Sequence, residues 1–87
     1  MEYAIFYRKG EAWPDVGSRY LARKAQRDYM TEGARHRLVL AFGYLDGDEA
    51  LAFIECPTRV QAQQYTECDP AVLAHVYCVE LREFESE

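Results

Sequence analysis

Apolar and polar residues alternate from the start of the chain, with Tyr3, Ile5 and Tyr7 on one side of an extended backbone and Ala4, Phe6 and Arg8 on the other. This period of two, rich in aromatic and β-branched residues, predicts a first strand over Glu2–Arg8. Gly10, Pro14 and Gly17 then break the pattern, so Lys9–Ser18 reads as a loop anchored by Trp13. From Ser18 to Glu32 the period becomes helical. Leu21, Ala22, Ala25, Tyr29 and Met30 form an apolar stripe, and Arg19, Arg23, Lys24, Gln26 and Arg27 face outward or lie at its edge. Ser18 is the expected N-cap and Gly33 the expected left-handed stop. Leu38–Phe42 predicts a second strand, and Asp46-Gly47 a hairpin turn leading into a third strand over Ala50–Glu55. Thr58-Arg59-Val60-Gln61 has capping-box spacing and opens a second helix. That helix is expected to end near Cys68, because Pro70 biases Asp69 away from helical geometry. A short turn leads to a last strand over Val76–Phe84.

The order βαββαβ, with two helical connections and one hairpin, predicts a ferredoxin-like α+β domain spanning 1–87. Its four-stranded antiparallel sheet carries both helices on one face. The other face keeps some of Tyr3, Ile5, Tyr7, Leu51, Phe53, Tyr77 and Val79 and needs a cover. The sheet of a second copy is the simplest cover, and the pair would form a dimeric α/β barrel.

Composition supports a packed core: of 87 residues 49% are hydrophobic, and seven tyrosines with four phenylalanines exceed what one small core needs. The net charge of −5 disfavours polyanions, although basic residues gather between Arg19 and Arg37. Three cysteines give no disulfide framework and suit a reducing compartment. No membrane span and no signal peptide are read, so the expectation is a cytoplasmic protein.

With these elements in order, the sequence resembles the YciI-like (YCII-related) family of small dimeric α/β-barrel proteins. The resemblance rests on Met1-Glu2-Tyr3-Ala4-Ile5-Phe6-Tyr7, on Glu32-Gly33, on Phe42-Gly43 and on the block Thr58 to Pro70. It implies a pocket between sheet and helices near the first strand, the first helix and Asp69. In the family a histidine some ten residues before the Glu-Gly pair, with acidic residues, is taken as the active site. Here Ala22, Arg23 and Lys24 occupy that region, and Tyr44 follows Gly43 where the family has proline.

Asp69 is the first candidate: a desolvated carboxylate can serve as a general base, while an Asp-Pro pair can equally just shape a turn. His75 could relay a proton to it across the turn, or be an exposed strand-edge histidine. His36, within Arg35-His36-Arg37, reads as a solvated loop residue. Arg19, Arg23, Lys24 and Arg27 could draw in an anionic group, and otherwise form a solvated face balanced by Asp28 and Glu32. Tyr7, Tyr44 and Tyr65 could supply phenolic hydrogen bonds, with Gly43 beside them in the binding set. Cys56, Cys68, His75 and Cys78 lack the tight spacing of a zinc knuckle, so no metal is expected, and no cofactor either. The expected activity is binding of a small aromatic or carboxylated molecule, with a cofactor-free isomerase, cyclase or lyase step in one version. The alternative is a non-catalytic accessory module of a metabolic enzyme. An RNA-recognition fold shares the element order, but Leu51 and Cys56 stand where stacking aromatics belong, so no nucleic-acid partner is expected.

Overall fold

The computed structural model describes residues 1–85. Its elements are β1 (Glu2–Lys9), α1 (Val16–Arg35), β2 (Val39–Tyr44), β3 (Ala50–Glu55), α2 (Arg59–Glu67), the one-turn α3 (Pro70–Leu73) and β4 (Tyr77–Phe84). The strands pair antiparallel in the order β2-β3-β1-β4, which is the ferredoxin-like arrangement expected from the element order.

Alternation decides the two faces. Tyr3, Ile5 and Tyr7 lie opposite Ile54, Ala52 and Ala50 of β3, and all six are buried under the helices. Phe6 sits between Leu51 and Glu80, and Ala4 between Phe53 and Arg82, on the face without helices. Tyr77 is buried on the helix side with Tyr7 and Trp13, so it does not contribute to the open face as the sequence had suggested. The open face instead carries Phe6, Leu51, Phe53 and Phe84. Beside them Glu80 accepts from Arg82 at 2.9 Å and pairs with Arg8 at 3.7 Å.

α1 is longer than its pattern suggests. Asp15, not Ser18, caps it by accepting from the Ser18 N–H at 2.8 Å, which also lowers the carboxyl's pKa. Its buried stripe is Ala22, Gln26, Met30 and Gly33, while Leu21 is 66% exposed. The spacing 22, 26, 30 follows the i, i+4, i+8 row of a helix, and this row puts a glutamine at the centre of the packed face.

Gly33 lies inside α1 and does not stop it. The Tyr65 hydroxyl and the Val39 Cγ2 occupy the space a Cβ would need, so glycine is what lets α1 approach α2 and β2 this closely. Gly33→Ala is expected to destabilise the fold by up to about 2 kcal/mol. Overpacking costs about 1–3 kcal/mol, offset by about 1 kcal/mol of helix propensity. A urea midpoint raised by the substitution would refute the close-approach account.

β2 carries a register shift between Val39 and Ala41, where Leu40 is the extra residue. A strict alternation from Val39 would send Tyr44 to the open face. The bulge reverses it, pairing Phe42 with Ala52 and Tyr44 with Ala50, so both aromatic rings turn to the helix side.

Candidate functional site

The Asp69-Pro70 pair builds the centre of the site. It starts α3: Asp69 is the N-cap and Pro70 supplies the first helical residue, whose missing N–H is no loss there. The Asp69 Oδ1 accepts from the Ala71 N–H at 2.7 Å, and Oδ2 accepts from Gln26 Nε2 at 3.1 Å. The Gln26 Oε1 in turn accepts from the Tyr44 hydroxyl at 3.2 Å. Asp69 and Gln26 are both 0% exposed. A continuous chain of hydrogen bonds therefore runs from a buried carboxyl on the α2–α3 corner, through α1, to the end of β2. Tyr7 stands beside Asp69, its buried hydroxyl near enough for each group to perturb the other's ionisation but outside hydrogen-bond geometry in this structure.

Burial raises the Asp69 pKa above the usual 3.8, against the lowering effect of hydrogen bonds from Gln26 and the Ala71 N–H. Burial and the neighbouring Asp69 likewise raise the Tyr7 pKa. The unfolded chain has an ordinary aspartate, so this group's contribution to stability is complete below about 3.8 and falls as pH rises through the higher folded value. Asp69→Asn keeps an acceptor for the α3 cap and removes the titration. The difference in unfolding free energy between wild type and Asp69→Asn should move against the wild type over that window. A difference independent of pH would contradict the raised value.

Outside this core, Arg19, Arg23 and Arg27 recur every four residues on one face of α1. With Val16, Tyr20 and Tyr44 they wall a cleft of about 270 Å³. The Arg23 guanidinium lies 4.1 Å from the Tyr44 ring centre and 5.5 Å from that of Trp13, and Arg19 lies 5.1 Å from Trp13. Aromatic faces hold these cations. Among the described residues no carboxylate comes within 4.0 Å of the three arginines, and the Arg23 Nε is buried without a partner. The Tyr77 hydroxyl, pushed up to about 12 by burial against the lowering effect of Arg23, donates to the Asp48 carbonyl at 2.8 Å.

The structure thus gathers Asp69, Tyr7, Tyr44, Arg23 and Arg27 into one region. It separates the other candidates. His75 is exposed at the end of α3 with φ 60°, and no hydrogen bond joins it to Asp69. Lys24 is exposed and lies outside the cleft wall. Gly43 pairs with Leu51 and borders a hollow on the open face. Tyr65 stacks on Tyr29 with ring centres 4.6 Å apart, and each hydroxyl donates to the other's carbonyl, at 2.8 Å and 3.2 Å. That pair clasps α1 to α2. His36 meets Glu32 at 3.0 Å on the surface. Cys56 is buried while Cys68 and Cys78 are exposed, and among the described residues no group of three or more potential ligands could share a metal. Sequence reasoning missed Gln26 as the link and gave Trp13 no place in the site, while it grouped Arg19 with Arg23, Lys24 and Arg27 as a candidate anion-binding face. The row Ala22, Gln26, Met30 was the available signal for the glutamine.

No helix among the described residues is long and apolar enough to cross a membrane. The sequence matches no protein-family model and none of the curated proteins. Among solved structures it is similar to 5-chloro-2-hydroxyhydroquinone dehydrochlorinase (TftG) from Burkholderia phenoliruptrix, in complex with 2,5-dihydroxybenzoquinone. The TM-score is 0.71 at 14% identity, over 100% of this chain and 96% of that one. The protein has the fold of that dehydrochlorinase, a four-stranded antiparallel sheet with its helices packed on one face.

Proposed function

We propose that this protein is a YciI-like, cytoplasmic homodimer that binds a small aromatic anion in the cleft between α1 and the end of β2. One observation carries the reading: three arginines without carboxylate partners converge beside Tyr44, in a chain whose net charge is −5. Arg19 and Arg23 are held against aromatic rings, and Arg19 also donates to the Trp13 carbonyl, which leaves their charge without a neutralising carboxylate among the described residues and open to an anionic ligand. The bulge in β2 matters here, because it turns Tyr44 toward them. The likeness to an enzyme described with a bound quinone supports a planar ligand. The apolar open face, with Phe6, Leu51, Phe53 and Phe84, supports pairing with a second copy.

Benzoate and 2,5-dihydroxybenzoquinone are suitable probes, titrated into isotopically labelled protein. Amide shifts should concentrate around Arg19, Arg23 and Tyr44. Loss of a charged hydrogen bond costs about 1.5–3 kcal/mol, so Arg23→Ala should weaken binding by roughly tenfold to a hundredfold. Lys24→Ala, outside the cleft, should leave affinity unchanged. Shifts elsewhere, or equal effects of the two substitutions, would overturn the reading.

A proton-transfer step is the second reading, and the raised pKa of Asp69 favours it. Both Asp69 oxygens already accept local hydrogen bonds. In the binding reading its role is to fix Gln26 and, through it, Tyr44. Asp69→Asn distinguishes the two: loss of turnover with intact affinity supports catalysis, and retained affinity in a protein that turns over none of the candidate substrates supports the accessory module.

A further inference from the structure

We propose that the Asp69–Gln26–Tyr44 chain makes the cleft selective for anions that also carry a hydroxyl donor, because it leaves the Tyr44 oxygen as an acceptor toward the ligand. The proposal deepens the binding reading above and rests on it.

The polarity follows link by link. The Ala71 N–H can only donate, so it fixes Asp69 Oδ1 as an acceptor. The second oxygen faces the amide nitrogen of Gln26 at 3.1 Å, and an N–H can only donate, so Oδ2 accepts as well. The amide oxygen then faces Tyr44 and can only accept, so the Tyr44 hydroxyl must donate its single hydrogen to it, at 3.2 Å. What remains on the Tyr44 oxygen is lone-pair density. Gln26 is fully buried, with its amide nitrogen on Asp69 and its amide oxygen on Tyr44. The polarity at the cleft wall is thus set by a carboxyl two links away.

Beside that acceptor stands the Arg23 guanidinium, packed on the Tyr44 ring at 4.1 Å, with Arg19 and Arg27 along the same wall. A guanidinium carries donors only, and it calls for an anionic acceptor. The two neighbouring walls therefore ask for opposite things from one ligand: an oxyanion for arginine and an O–H for Tyr44. A hydroxylated aromatic acid satisfies both. Its methyl ether places a second acceptor against the Tyr44 oxygen and leaves both without a hydrogen.

The test compares benzoate with 3- and 4-hydroxybenzoate and with the corresponding methoxybenzoates, in which internal hydrogen bonding to the carboxylate is absent. In the wild type at least one hydroxy acid should bind roughly tenfold tighter than its ether. In Tyr44→Phe each hydroxy acid should bind no more tightly than its ether, whatever the change in benzoate affinity. Amide spectra of the variant establish that it is folded. If benzoate binds in an Arg23-dependent way and each ether matches its hydroxy acid, the polarity proposal is overturned and the binding reading stands. If no acid binds, or Arg23→Ala has no effect, the binding reading itself falls and this proposal with it. A preference that survives in Tyr44→Phe assigns selectivity to another residue and also overturns it.

Discussion

Tyr77→Ala should cost about 3–5 kcal/mol, the range for deleting a fully buried aromatic ring. Domains of this size are stable by only about 5–15 kcal/mol, so the variant would be at or near the edge of unfolding. The ring is 1% exposed and sits at the junction of three elements, 5.7 Å from Tyr7 and 5.2 Å from Trp13 between ring centres. Its hydroxyl also ties β4 to the hairpin turn through the Asp48 carbonyl. Tyr77→Phe isolates that last contribution and should cost about 1 kcal/mol. Urea unfolding of both variants checks the pair. Equal losses would mean that the ring contributes little, and the packing described for this corner would be wrong.

Phe53→Asp should do the reverse, leaving the fold in place and dissolving the assembly. Phe53 packs edge-on against Phe84 at 5.3 Å on the face without helices, and it is only half-buried in the isolated chain. In the proposed homodimer this apolar strip lies at the interface. A carboxylate placed there without a partner costs about 3–5 kcal/mol, roughly a hundredfold to several thousandfold in the dimer dissociation constant. Light scattering should report a mass near twice 10.1 kDa for the wild type and near 10.1 kDa for the variant. A wild-type monomer, or a variant that stays dimeric, would remove the open sheet face as the interface.

These two tyrosine and phenylalanine positions show how far the sequence can be read. Alternation placed all four strands within a residue or two, since a strand with one buried face carries its own period. It could not say which face of β4 met the helices, so Tyr77 and Phe53 looked equivalent. The bulge at Leu40 was also invisible: a single extra residue inverts the facing of Phe42 and Tyr44 without any local compositional sign. α3 was missed because Asp-Pro is ambiguous. The same proline that ends one helix can begin the next, and the N-cap role of Asp69 emerges only once Ala71 folds back onto it. The candidate site was legible in its charged and phenolic parts, Asp69, Tyr7, Tyr44, Arg23 and Arg27. Gln26 escaped because a neutral amide draws no attention from charge or hydropathy, and its importance lies in partners 18 and 43 residues away.

Trp13 is the chain's single tryptophan, and its surroundings give it a use beyond packing. Three cations, Lys9, Arg19 and Arg23, lie within 5.6 Å of its ring centre, and two of them also wall the cleft. An indole's emission depends on the charges around it as well as on its exposure to water. A ligand that draws Arg19 and Arg23 away will change the local field while the ring stays packed on Tyr77, whereas unfolding will strip both at once. The protein therefore contains an intrinsic fluorophore that gives binding and denaturation different spectral signatures, without any label.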